Sequence, residues 1–321
     1  MRFIIPTTAC IAALGIGFTA GRVQSASAHD DRVTAAIRPQ SASATASDPT
    51  AQEHANHTIS GAASMPGFQQ AAGIPASATT APERIAKSPR HAEWVAIKTS
   101  ATDSVMAWVV YPERKDKAPV VIAIHENTGI NTWTRSVADQ LAADGFIGIA
   151  PDLTTMKRTG DLKADPAADV GRAAIGLITP EMGNAMIDAV AKYGMALPAA
   201  QPKYGIVGFC WGGGRSFMHA VHAPGLGASV VYYGSPPTAE QMAAIKAPVL
   251  GLYGGNDARI NATIPATDSA MKKLNKPYEF HIFEGAGHGF LRGQDQSPAN
   301  QKAAAEAWPK TVAFFRAKLG K

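Results

Sequence analysis

Hydrophobic and polar positions divide the chain into two unlike parts. Phe3–Ala20 is largely apolar, and His29 to Lys87 is dominated by Ala, Ser, Thr, Pro and Gln with little periodicity. From about His91 the pattern becomes that of a folded domain. Glu93–Lys98 and Val105–Tyr111 alternate or run apolar as a β-hairpin does, and Pro119–His125 is a continuous apolar run suited to a strand buried on both faces. Thr132–Asp144 follows with helical spacing at Val137 and Leu141, then Phe146–Pro151 as a strand. Met182–Met195 reads as helix and Tyr204–Phe209 as a short strand running into Cys210. Further strands are expected at Ser229–Tyr233, Val249–Tyr253 and Tyr278–Phe283, with helices near Ala239–Ile245 and Ala266–Leu274. Lys302–Lys318 closes the chain as a helix, expected to kink or restart at Pro309. Strands alternating with helices predict an α/β domain over roughly 88–321, with a mostly parallel central sheet and helices on both faces.

The N-terminal part reads differently. Arg2, the apolar stretch and the small-x-small run Ala26-Ser27-Ala28 predict a signal peptide over 1–28, cleaved near Ala28. An uncleaved anchor is the competing reading, because the stretch approaches the ~20 residues that span a bilayer. An exported protein is therefore expected, with the periplasm as its compartment and no membrane association once the signal is cleaved. Residues 29–87 carry tracts such as Ser41-Ala-Ser-Ala-Thr-Ala-Ser, which bury too little apolar surface to offset chain entropy, and are expected to form a disordered tether.

Composition adds exclusions. The net charge of +5 includes Arg2 and Arg22 of the leader, and without a basic run it argues against nucleic acid as a partner. His54 and His57 lack a third ligand, and no H-x-H, HExxH or CxxC pattern occurs, so neither a metal nor a cofactor is expected. Of two cysteines, Cys10 would leave with the leader, so the mature chain keeps Cys210 without a disulfide partner.

That cysteine sits in Gly208-Phe209-Cys210-Trp211-Gly212-Gly213-Gly214, after an apolar strand and before a helix-like segment. This is the strand–turn–helix setting of a nucleophile elbow. A helix N-terminus behind a thiol favours negative charge on sulfur. An elbow nucleophile needs an acid and then a histidine in chain order. Asp257 follows a strand through Gly254-Gly255-Asn256, and His288 lies in Gly285-Ala286-Gly287-His288-Gly289-Phe290 after the next. Both fall where open α/β sheets build their sites, so His288 is the expected base and Asp257 its orienting acid.

These segments, with His125-Glu126-Asn127-Thr128-Gly129-Ile130-Asn131 after the buried strand, resemble the dienelactone hydrolases (carboxymethylenebutenolidases) of the α/β-hydrolase fold. The resemblance runs from about Trp94 to the C-terminal helix. It implies a hydrolase acting on a small ester or lactone through a Cys210–His288–Asp257 triad and an acyl-enzyme. It also implies that Glu126 lies against the resting thiol and helps deprotonate it when substrate arrives. The backbone N–H groups of Trp211 and Asn127 would form the oxyanion hole. Arg292 matches the family's substrate-carboxylate arginine. The second such arginine belongs in Leu153–Met182, where Arg158 and Arg172 stand without matching it. Two other classes stay open at this point: a peroxidatic or redox thiol, and a ligand-binding member of the fold with a silent site.

Overall fold

The computed structural model describes residues 63–320. The expected leader with Cys10, and the expected tether up to residue 62 with His54 and His57, lie outside the described residues.

The alternating strand pattern builds one sheet from β1 (Ala92–Lys98), β2 (Ser104–Val110), β3 (Ala118–Ile124), β4 (Ile147–Asp152), β5 (Ala200–Phe209), β6 (Ala228–Tyr232), β7 (Val249–Gly254) and β8 (Tyr278–Phe283). Their spatial order is β1-β2-β4-β3-β5-β6-β7-β8. β2 runs antiparallel to both β1 and β4, and every other neighbouring pair is parallel. Nine α-helices are described: α1 (Ala81–Lys87), α2 (Thr132–Ala143), α3 (Ala168–Ile175), α4 (Pro180–Ala196), α5 (Trp211–His222), α6 (Ala239–Met242), α7 (Ala258–Asn261), α8 (Ile264–Lys273) and α9 (Pro298–Leu319).

β3 shows why the central strands read as unbroken apolar runs. Every residue of it is buried. Val120, Ile122 and Ile124 join a core with Met186 and Ile187 of α4 and Phe217 of α5. Val121 and Ala123 point the other way, into a core with Trp133 and Val137 of α2 and Phe315 of α9. Side chains of period two thus feed two cores from one strand.

Two expectations need correction. α9 is a single helix through Pro309 rather than a restarted one. Its Ala304, Ala307, Trp308, Thr311 and Phe315 are fully buried along one face. Burying large apolar side chains at ~2 kcal/mol each outweighs the ~3 kcal/mol local cost of an interior proline.

The second correction concerns the expected tether, which does not extend to residue 87. Ile74, Ala76, Ser77 and Ala81 are buried, and the Trp133 indole N–H donates to the Ala76 carbonyl at 3.0 Å. α1 adds an ion pair from Arg84 to the buried Asp139 at 2.7 Å. Small side chains and backbone hydrogen bonds hold this segment down, and neither leaves a hydrophobic periodicity.

Trp308 carries the packing of α9 against the sheet and donates its indole N–H to Asp144 at 2.9 Å. Trp308→Ala is expected to cost about 3–5 kcal/mol of unfolding free energy, read from the urea midpoint at unchanged slope.

Candidate active site

The loops that leave the carboxyl ends of β3, β5, β6, β7 and β8 bring the predicted residues together, as open α/β sheets do. Cys210 stands between β5 and α5 with φ 56° and ψ −117°, a conformation that costs a non-glycine residue of order 1–3 kcal/mol. Its surroundings enforce the turn. A Cβ on Gly208 would lie 1.8 Å from the Gly212 carbonyl oxygen, and one on Gly212 would lie 2.3 Å from that of His125. Strand and helix cross too closely for side chains there, which is the physical content of the G-x-C-x-G spacing. The Cys210 N–H donates to the Tyr232 carbonyl at 3.1 Å, and the side chain is buried.

Asp257 caps the short α7, and its two oxygens divide their work. Oδ1 accepts from the Ile260 N–H at 3.4 Å, while Oδ2 accepts from His288 Nδ1 at 2.5 Å. That second bond makes Nδ1 the protonated nitrogen and leaves Nε2 for the thiol. Burial acts to lower the His288 pKa, but once the sulfur is thiolate the hydrogen bonds to Asp257 and Cys210 and their negative charges outweigh it and raise it to about 10. Burial acts the other way on Asp257. The His288 bond and charge, with smaller help from the Ile260 N–H and Arg259, hold its carboxyl below the ordinary value.

Glu126 follows β3 and is nearly buried, and its carboxylate pairs with Arg292 Nε at 2.7 Å. That carboxylate, followed by burial and the Tyr233 hydroxyl, governs Arg292, with a net rise in its pKa. Trp211 opens α5 directly after Cys210, and Asn127 lies on the β3 loop beside Glu126. Arg158 is committed elsewhere: its Nε donates to Asp152 at 2.8 Å and its terminal nitrogens to the carbonyls of Asp161, Leu162 and Ala164. Arg172 is half-buried on α3.

Two residues at the site carried no sequence signal strong enough to single them out. Tyr233, just after β6, has φ 40° and is fully buried, with its ring 4.9 Å from that of His288. Its hydroxyl has no hydrogen-bond partner among the described residues. Burial first, then the negative charges at Glu126 and Cys210, push the phenol well above its ordinary value. A neutral donor in such a place costs ~1–3 kcal/mol when unpaired, so it suits a site built for an incoming acceptor. The signal available was only its position at the end of a parallel strand.

His125 is the other. It accepts from the Leu153 N–H through Nε2 at 3.2 Å, so Nδ1 carries the proton and donates to the Glu126 carbonyl at 2.7 Å. Burial lowers its pKa and keeps it neutral. The ring stacks on Trp211 at 5.5 Å and 12°, and Arg215 covers Trp211 at 5.4 Å. A cavity of about 370 Å³ opens beside Trp211, lined also by Ile175, Ile178, Met218, Pro236 and Gln241.

The sheet order and the elbow define an α/β-hydrolase. The model of the dienelactone hydrolase family matches residues 105–319, and the chain belongs to that family of hydrolases. It is 32% identical over 238 residues to a Salmonella typhimurium protein assigned to the carboxymethylenebutenolidases, covering 69% of this chain and 86% of that one. A Saccharolobus solfataricus protein so assigned is 30% identical, over 66% of this chain and 93% of its own. Among solved structures, a protein assigned as a dienelactone hydrolase from Klebsiella pneumoniae superposes with a TM-score of 0.62 at 26% identity, over 70% of this chain and 98% of the other. An acylaminoacyl peptidase from Pyrococcus horikoshii shares the fold alone, with a TM-score of 0.56 at 17% identity over 72% of this chain and 42% of its own.

A pH dependence follows from the His288–Asp257 bond. His288 holds its proton more tightly folded than unfolded, so its contribution to stability is complete below about pH 6.5 and is lost as pH rises towards about 10. Asp257→Asn is expected to bring the His288 titration, followed by NMR, back towards its ordinary value. The stability gap to wild type should be widest near pH ~6 and narrow towards pH ~10.

Proposed function

We propose that this hydrolase cleaves a small ester or lactone by nucleophilic catalysis at Cys210. What carries the reading is the strained elbow cysteine with the His288–Asp257 pair set against it. Cys210 Sγ attacks the acyl carbon as the thiol proton passes to His288 Nε2, the ring nitrogen opposite the Asp257 bond. The oxyanion that forms is held by the backbone N–H groups of Trp211 and Asn127, and the start of α5 adds its dipole. The carbon–oxygen bond then breaks, His288 returns the proton to the leaving alkoxide, and a thioester remains on Cys210. A water that gives its proton to His288 attacks the thioester, releasing the acid and restoring the thiol.

Glu126 and Arg292 give this cycle a switch. Paired with Arg292, the Glu126 carboxylate is restrained at rest. A substrate carboxylate competing for the guanidinium releases Glu126 to pass the thiol proton on to His288 Nε2, so thiolate forms when substrate is present. For an exported protein, as we read this chain, that spares the sulfur from oxidation. The apolar cavity beside Trp211 suits the hydrocarbon portion of the substrate. No nucleic acid, metal or cofactor enters this scheme. The peroxidatic alternative is weaker, because Cys210 is the only cysteine after Cys10 and no second thiol of the domain is there to resolve a sulfenic acid.

The direct test is hydrolysis of small 4-nitrophenyl esters and of a dienelactone. Cys210→Ala should lower kcat/KM by about a thousand-fold or more, and Cys210→Ser should stay well below wild type because the site is shaped for sulfur. Full activity in Cys210→Ala would contradict the proposal. Glu126→Gln should slow turnover by about ten- to a hundred-fold while leaving the fold intact, read from kcat and from the thermal midpoint.

A further inference from the structure

Residues 64–80 lie upstream of the family match at 105–319, yet they are bonded to the loop that carries Arg292. The Ala78 N–H donates to the Arg292 carbonyl at 2.9 Å, and the Met65 N–H to that of Asp295 at 2.7 Å. Asp295 is almost fully buried and accepts from the hydroxyls of Ser64 and Thr79. Gln294 is fully buried, donates to the Pro75 carbonyl at 2.9 Å and accepts from Gln70 Nε2 at 3.1 Å. Gln70 is the hub of the segment: its Oε1 accepts from the Ser77 N–H at 2.9 Å and from the Thr80 hydroxyl at 2.8 Å.

This network has a purpose that packing alone does not require. A loop resting on Phe290 and Leu291 would be held by apolar burial. Here successive buried polar side chains, Gln294 and Asp295, are satisfied by one foreign segment, which fixes backbone position and direction. Arg292 sits two residues before Gln294. Its guanidinium must meet a planar carboxylate, and such forks tolerate only a fraction of an ångström of misplacement.

We propose that residues 64–80 form a positioning strap that sets Arg292 and thereby the preference of the site for substrates bearing a carboxylate. The strap never touches the reacting atoms. It holds the Arg292 backbone so that the side chain is shared between Glu126 and an incoming carboxylate. The proposal rests on the reading of Arg292 as the substrate-carboxylate group.

Gln70→Ala breaks the hub without altering Cys210, Asp257, His288, Glu126 or Arg292. The assay compares kcat/KM for mono-4-nitrophenyl glutarate, which carries a free carboxylate, with that for 4-nitrophenyl butyrate, which does not. The ratio of the two is independent of how much of a preparation is folded. Wild type should prefer the glutarate ester. Gln70→Ala should lose about ten-fold of that preference, through KM of the glutarate ester, with kcat and the butyrate reaction little changed. Hydrogen exchange of the amides across 289–296 should rise in the same variant. A preference unchanged in Gln70→Ala overturns the strap alone. No preference in the wild type overturns the reading of Arg292 and the strap together.

Discussion

The backbone of Cys210 is the constraint from which the rest of the site follows. A cysteine at φ 56° is unfavourable, and it persists because β5 and α5 meet across Gly208 and Gly212 with no room for a Cβ on either. The turn starts a helix immediately after Cys210, so the sulfur lies at the positive end of α5. His288 is then useful only if Nε2, the nitrogen opposite its Asp257 bond, faces that thiol. The Asp257 bond to Nδ1 ensures this, and α7 holds Asp257 by the cap it makes with the other oxygen.

Much of the buried charge is handled by pairing, while the buried Asp295 is met by the hydroxyls of Ser64 and Thr79. Glu126 meets Arg292, Asp257 meets His288, Asp152 meets Arg158 and Asp139 meets Arg84 and Arg90. The first two pairs lie where the strand ends converge, the third braces the loop after β4, and the last ties α1 and the chain before β1 to α2. His125 shows the same economy: one neutral ring joins the loop after β3 to the loop after β4 and stacks under Trp211. Breaking one member of a buried pair leaves the other uncompensated, so these positions couple the site to the fold.

Much of this was legible in the chain itself. The strand runs, the elbow and the order Cys210, Asp257, His288 are local features, and each follows a strand by only a few residues. The residues that escaped are those whose meaning is set at a distance. Tyr233 reads as the end of an apolar strand, and only the fold reveals its positive φ and its hydroxyl among Glu126, Cys210 and Arg292. The pairing of Glu126 with Arg292 joins β3 to the loop after β8, which no local spacing encodes. Residues 63–87 misled for the opposite reason. Their small and polar composition is that of a linker, but Gln70 and Thr79 bond to a neighbouring loop, and Ser77 ties the segment to itself through Gln70, Thr79 and Thr80. The bonds from Met65 and Ala78 to the Arg292 loop likewise leave no local spacing in the chain.

In the proposed cycle Cys210 carries the acyl group during turnover. Mass spectrometry of the intact protein, quenched within milliseconds of mixing with a 4-nitrophenyl ester and followed by peptide mapping, tests it directly. The expected result is a transient mass increase equal to one acyl group, located on Cys210 and decaying as the acid is released. Release of 4-nitrophenol with the Cys210 peptide unmodified throughout, or an acyl group on another residue, would contradict it.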